Sequence, residues 1–232
     1  RYSPNGSSDL SSKDLVLNYN NVFSLDRIST NYQVESGEAL TLGLEFQKND
    51  NKLGNIINFR VANVVKPNKD YKLPSKSKLN QTRSDIFGDL NLRINNHMNL
   101  GYTFSYDRDL DYSNLDAISL NFNVNNFITK FKYYSENHDF GDEENIKNST
   151  SFKFDSENSI KFNTSKDLKD DFTEYYNLTY EYLTDCISVN FNFNKTFYSD
   201  GNLEPDKTLS FLIKIIPFTE IGVANISSMI VN

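Results

Sequence analysis

The stretch Ile187-Ser-Val-Asn-Phe-Asn-Phe-Asn194 alternates apolar with amide or hydroxyl side chains at every position. Successive side chains of a β-strand point to opposite faces. Ile187, Val189, Phe191 and Phe193 therefore share one face, while Ser188, Asn190, Asn192 and Asn194 share the other. Moving outward, the same period of two sets Leu40, Leu42, Leu44 and Phe46 against Thr41, Gly43, Glu45 and Gln47. It also sets Ile118, Leu120, Phe122 and Val124 against Ser119, Asn121 and Asn123. Further strands are expected at 57–65, 86–94, 100–106, 127–133, 151–155, 160–164, 175–182 and 208–216, with a weaker pair near 15–19 and 22–28. No helical period competes, so the chain reads as all-β with about a dozen strands.

The connections come in two lengths. Asn95-Asn96, Asn125-Asn126, Ser156-Glu157-Asn158 and Thr184-Asp185 are turn-like, built from residues that tolerate turn backbone angles. The stretches 66–81, 107–114, 136–148 and 199–206 are longer and polar. Short and long connections in alternation place tight turns at one end of a meander and loops at the other, as in outer-membrane barrels. A soluble sandwich also alternates, but its outer face carries charge. Here the polar face is mostly Asn, Ser, Thr and Gly with scattered Lys and Glu. Aromatic residues (Tyr102, Phe104, Tyr106, Phe131, Tyr133, Tyr176, Tyr180, Tyr182) recur near strand ends, like the girdles that flank a lipid-facing band. The expected fold is an all-β, antiparallel transmembrane β-barrel.

Composition narrows the function. The 232 residues carry 24 basic and 31 acidic side chains, a net charge of -7, which removes the electrostatic term behind most nucleic-acid binding and argues for no nucleic-acid partner. The longest apolar run, 209–218, is broken by Lys214 and Pro217, well short of the roughly 20 residues of a membrane helix. The opening Arg1-Tyr-Ser-Pro-Asn5 has no initiator Met and no signal peptide, which reads as a piece of a longer protein. The single cysteine, Cys186, is a buried thiol, a reactive thiol or half of a bridge to something outside these residues.

Several segments taken in order resemble the C-terminal barrel region of the LptD (OstA) family of lipopolysaccharide-assembly proteins. They are Arg1-Tyr-Ser-Pro-Asn5, Tyr19-Asn-Asn-Val-Phe23, Arg27, and Val34-Glu-Ser-Gly37 leading into Leu40-Thr-Leu-Gly-Leu-Glu-Phe46. The strongest are Tyr180-Glu-Tyr182, Asp185-Cys186 and Asp200-Gly-Asn-Leu-Glu-Pro-Asp-Lys-Thr-Leu-Ser-Phe211. The resemblance implies that residues 1–216 are the C-terminal part of a barrel of about 26 strands, with 217–232 as a C-terminal tail. It implies a non-catalytic translocon in the outer membrane of a Gram-negative bacterium, moving lipopolysaccharide into the outer leaflet without a cofactor. The implied partners are lipopolysaccharide, an LptE-type plug lipoprotein, outer-membrane lipid, and an LptA-type periplasmic bridge docking on an N-terminal domain.

The same resemblance makes Cys186 a disulfide candidate to a cysteine of that domain, although Ile187 stands where better-known members carry a second, adjacent cysteine. It makes Asn121, Asn123, Ser188, Asn190 and Asn192 candidate lumen-lining residues. It places the lateral gate at the terminal strand 208–216, with Leu209, Phe211, Ile213 and Pro217 on its lip.

The alternatives are a stand-alone outer-membrane pore or an outer-membrane lipid hydrolase. For the latter, His97 or His138 beside Asp139 would have to act as general base, yet no serine has a distinctive nucleophile setting. Asp107, Asp109 and Asp111 begin like a calcium loop but lack its Gly and its closing Glu. Asp139, Asp142, Glu143 and Glu144 read as a solvated acidic loop, so no metal site is expected. The lysines of 66–78 read as a solvated loop, with contact to lipid A phosphates as the sharper alternative.

Overall fold

The computed structural model describes residues 16–24, 27, 35, 37–71, 73–138, 140–197, 204–215 and 219–223. Twelve strands form one antiparallel sheet in chain order. They are β1 (Leu40–Asp50), β2 (Gly54–Val65), β3 (Ile86–Asn95), β4 (Met98–Tyr106), β5 (Ser113–Val124), β6 (Phe127–Glu136), β7 (Glu143–Lys153), β8 (Asn158–Asp167), β9 (Phe172–Leu183), β10 (Ile187–Thr196), β11 (Asp206–Ile215) and β12 (Thr219–Val223). No α-helix occurs among the described residues, and the 66–85 connection holds one 3-10 turn, Ser75–Ser77.

Turn chemistry sets the hairpins. Asp50 Oδ1 accepts the Lys52 and Leu53 N–H groups, Asp155 Oδ1 those of Glu157 and Asn158, and Asp167 Oδ1 those of Lys169 and Asp170. Asn125 takes the left-handed angle that its turn requires (φ 50). Tight turns at 51–53, 96–97, 125–126, 154–157 and 184–186 alternate with connections at 66–85, 107–112, 137–142, 168–171 and 197–205.

The chain divides into two compact units. In the first (1–93, 100–118 and 135–142), Leu42, Leu44 and Phe46 of β1 stand beside Asn63, Val61 and Phe59 of β2 on one face. Gly43, Glu45 and Gln47 stand beside Ala62, Arg60 and Asn58 on the other. β3 extends both faces, placing Gly88 beside Val61 on the first and Phe87 beside Ala62 on the second. The core lies on the second, polar face, where Leu17, Val22, Leu73 and Leu79 pack with Ala62, Val64 and Phe87.

In the second unit (94–99, 119–134 and 143–232), β7 to β12 keep register except for a bulge at Ser165/Lys166. The apolar row Phe162, Leu178, Phe193, Leu209 runs across β8, β9, β10 and β11, and Ile160, Tyr180, Phe191, Phe211 runs beside it.

Three sequence expectations need correction. The described part of the weak strand pair, 16–24, is a turn in which Asn18 Oδ1 accepts the Asn20 and Asn21 N–H groups. Residues 15, 25, 26 and 28 lie outside the described residues. Second, β7 begins at Glu143 rather than Ser151, because its outward row Ile146, Asn148, Thr150 is too polar to read as a strand. Those side chains bond one another instead: Thr150 Oγ1 donates to Asn148 Oδ1 (3.0 Å), and Asn148 Nδ2 to Thr129 Oγ1 (3.1 Å). Third, β11 is not terminal. Phe211 and Ile213 pair with Phe191 and Val189 on one side and with Val223 and Ile221 of β12 on the other. The strand carrying Leu209, Phe211 and Ile213 is therefore not the last one, Leu209 lies beyond the β12 pairing, and Pro217 lies outside the described residues.

Gly88 marks the closest backbone approach in the first unit. A Cβ there would stand 2.1 Å from the Arg60 carbonyl oxygen and 3.0 Å from Phe104 Cζ. Gly88→Val must push β2 and β3 apart, and it is expected to lower stability by about 1–3 kcal/mol, the usual cost of overpacking. The urea unfolding midpoint in lipid vesicles measures this; an unchanged midpoint would show that the strands give way freely.

Candidate functional site

The polar face of the second unit is a hydrogen-bonding track. Register places Ser149, Asn163, Asn177, Asn194 and Thr208 in one row, with Ser151, Lys161, Thr179, Asn192 and Ser210 in the next. Asn163 Nδ2 donates to Asn177 Oδ1 (3.1 Å), Asn177 Nδ2 to Asn192 Oδ1 (2.6 Å), and Thr179 Oγ1 to the same Asn192 oxygen (2.9 Å). Asn190 Nδ2 donates to the buried Ser188 hydroxyl (3.1 Å). A shallow depression of about 410 Å³ is lined by Asn163, Tyr175, Asn177, Asn194 and Thr196. Charged side chains are interspersed on this face, among them Lys147, Lys153 and Lys214, with Lys161 at 3.7 Å from Glu181. Such a surface offers neutral donors and acceptors, which suit water and sugar hydroxyls.

Of the candidate lumen residues, Ser188, Asn190 and Asn192 lie on this track. Asn121 and Asn123 alternate with Phe122, whose ring pairs with Phe127 at 6.5 Å; Asn121 is half-buried and Asn123 exposed. Cys186 is exposed in the β9–β10 turn, which corrects the buried-thiol alternative.

His97 Nδ1 lies 2.8 Å from the Asn123 carbonyl oxygen, and the His138 ring packs 4.2 Å from that of Tyr112. Asp107 Oδ2 accepts the Asp109 N–H of its own turn. Glu143 and Glu144 accept from Asn145 (2.6 Å) and Tyr133 (2.9 Å), and Asp139 lies outside the described residues.

In the first unit the polar face is covered, which the sequence reading missed. The 66–78 segment is solvated only in part: Pro67, Asn68, Lys69 and Tyr71 are exposed, whereas its two ends turn inward. Lys66 and Lys78 are buried, Lys78 adopts a left-handed backbone (φ 57), and its Nζ lies 5.9 Å from the Phe140 ring centroid. Lys76 pairs with Glu136 at 2.9 Å. The apolar residues scattered through this polar connection, Leu73 and Leu79, were the available signal. From the other side the 16–24 turn lies on β1–β3. Arg60, itself paired with Asp89 at 2.7 Å, stands 4.8 Å from the Tyr19 ring, and Phe23 covers Gly43 so closely that a Cβ there would meet its Cζ at 2.5 Å.

Glu35 ties these pieces together. Arg27 donates to both of its carboxylate oxygens at 2.9 Å and to Thr41 Oγ1 at 3.0 Å, while Lys66 Nζ lies 3.6 Å away. All three side chains are nearly buried (10, 7 and 4% exposed). The buried Asp85 accepts from Asn114 Nδ2 (2.7 Å) and Ser105 Oγ (3.0 Å). Burial pushes its carboxyl above the ordinary aspartate range, and Lys78 and the two hydrogen bonds offset this only in part.

No family model matches the sequence, and no curated protein matches it. Among solved structures the chain is similar to a triple mutant of the Rhodopseudomonas blastica porin, with a TM-score of 0.45 and 8% identity over 79% of this chain and 83% of that one. A second triple mutant gives the same values, and a double mutant differs only in its 9% identity.

Two predictions follow from the covered face. Glu35→Ala leaves Arg27 and Lys66 buried without their carboxylate and is expected to cost about 3–5 kcal/mol, read as a lower urea midpoint; a loss below about 1 kcal/mol, the exposed-pair range, would show the cluster to be solvated. Asp85 holds its proton more tightly when folded, so its contribution is full below the ordinary value of 3.8 and is lost as pH rises through the raised one. The stability of Asp85→Asn relative to the parent should therefore rise across that window in unfolding midpoints taken as a pH series. A flat difference would refute the shift.

Proposed function

We propose that this chain is part of an outer-membrane β-barrel of LptD type, with its apolar face toward lipid and its amide track toward an aqueous lumen that admits the sugar portion of lipopolysaccharide. The observation that carries the membrane reading is the uncovered apolar face. Leu40, Leu42, Leu44 and Phe46 are 58, 56, 57 and 52% exposed, and all twelve strands belong to one sheet, so no second sheet packs there among the described residues. A soluble sandwich would bury this face. The mutual bonding of Thr129, Asn148 and Thr150 on the same face also fits lipid, where an unpaired polar group is costly.

The lipopolysaccharide reading rests on the LptD-like segments and on the neutral hydrogen-bonding track. Outer-membrane barrels keep short turns on the periplasmic side. On this reading the β9–β10 turn presents Cys186 there, where an oxidising compartment allows a bridge to an upstream cysteine. An LptE-type plug and an LptA-type bridge would complete the machine, and no step in it needs covalent chemistry or a cofactor.

The test is depletion of the full-length protein in its native host, with surface lipopolysaccharide and gel mobility as readouts. The expected result is outer-membrane fractionation, loss of surface lipopolysaccharide on depletion, and a mobility change on reduction that Cys186→Ser abolishes. Unchanged surface lipopolysaccharide, with ion conductance from the purified protein, would replace this reading with a stand-alone pore.

A further inference from the structure

Apolar rows on β10 and β11 end abruptly toward the 197–205 connection. On β10 the outward positions run Ile187, Val189, Phe191, Phe193, Lys195, and on β11 Ile215, Ile213, Phe211, Leu209, Lys207. Lys195 and Lys207 are direct cross-strand partners. Like charges directly opposite on one face destabilise a sheet pair. Among the described residues neither lysine has an ion pair. The acidic residues of these strands are turned away: Asp206 pairs with Thr196 on the other face, and Glu174 accepts from Ser165, whose partner Lys147 lies on the polar face. Lys166, the next outward lysine, is already neutralised by Asp171 at 2.6 Å.

Aromatic rings gather around Lys195. Tyr176 is the cross-strand neighbour of Lys195, its ring stacks 6.1 Å from Phe162 and meets Phe197 edge-on at 5.7 Å, and Lys195 Nζ stands 4.4 Å from the Phe197 centroid. An unneutralised cation pair at the rim of an apolar band, with aromatic rings around Lys195, matches one ligand in charge and polarity: a lipid whose acyl chains cover Phe193 and Leu209 while its anionic phosphate sits between the lysines.

We propose that Lys195 and Lys207, with Tyr176 and Phe197, form an outward-facing site for the anionic phosphate headgroup of a membrane lipid at the long-loop end of the sheet. The proposal rests on the membrane-barrel reading. The test is native mass spectrometry of the full-length protein titrated with dioleoylphosphatidylglycerol and, separately, with zwitterionic dioleoylphosphatidylcholine. At roughly fivefold per lysine near an anionic lipid surface, the double variant Lys195→Gln/Lys207→Gln should bind phosphatidylglycerol about 25-fold more weakly. Phosphatidylcholine binding should not change, Lys161→Gln on the polar face should behave as the parent, and Lys195→Arg/Lys207→Arg should retain the lipid.

Equal phosphatidylglycerol binding by the Gln variant, an equal loss in Lys161→Gln, or displacement of the lipid by inorganic phosphate would overturn the site. Vesicle flotation separates this from failure of the underlying reading. A protein that does not float with vesicles is no membrane barrel, whereas one that floats without an anionic preference lacks only this site.

Discussion

Phe191 has Tyr180 of β9 on one side and Phe211 of β11 on the other, with ring centroids 6.4 and 4.7 Å away, yet it remains 46% exposed. Lateral packing within the sheet is all that its face receives. A large apolar side chain left in water forfeits roughly 1.5–3 kcal/mol when fully exposed, and the pattern repeats at Leu44, Phe131 and Phe152. Among the described residues no protein layer recovers that energy, and on the proposed reading lipid does. From this constraint the rest follows: backbone groups pair strand to strand, polar residues on the apolar face bond one another, and charges are kept to its rim.

The polar face answers the opposite demand in two ways. In the second unit Asn163, Asn177, Asn192 and Thr179 satisfy one another while leaving amide and hydroxyl groups open to solvent. In the first, the chain covers its own polar face with the 16–24 turn and the 66–85 connection. Covering it required dry apolar contacts around Phe87 and a buried ionic cluster, because Arg27 and Lys66 could not leave water without the shared Glu35 carboxylate.

Strand positions were legible where both faces had a distinct character. The strands Ile187–Thr196 and Leu40–Asp50 announce themselves because apolar and polar residues alternate without a break over 187–194 and 40–47. β7 was half hidden because its outward row is hydroxyl and amide, and periodicity cannot see that Asn148 is satisfied by Thr129. The covering segments were illegible for a different reason. Lys66, Lys76 and Lys78 look solvated in sequence, and only the fold brings Glu136 and Phe140, some sixty residues away in the chain, against two of them. The Asn192 track was visible as a row, but not its order of donors, which depends on cross-strand register.

Sidedness ties the two ends of the hairpins to different chemistry. The tight turns are closed by Asp and Asn side chains bonding their own backbone, and one of them carries the exposed Cys186. The other end carries the longer connections, the buried ion pairs of the first unit, and in the second the unpaired Lys195 and Lys207, with aromatic rings around Lys195. In a membrane the long-loop end faces out. There the lysines meet the headgroup layer, while the cysteine meets the compartment in which a disulfide survives. On the reading proposed above, the opposite insertion would carry Lys195 and Lys207 to the periplasmic side and Cys186 to the cell exterior, away from the upstream cysteine that this reading pairs it with. One orientation thus satisfies loop length, charge and redox chemistry together.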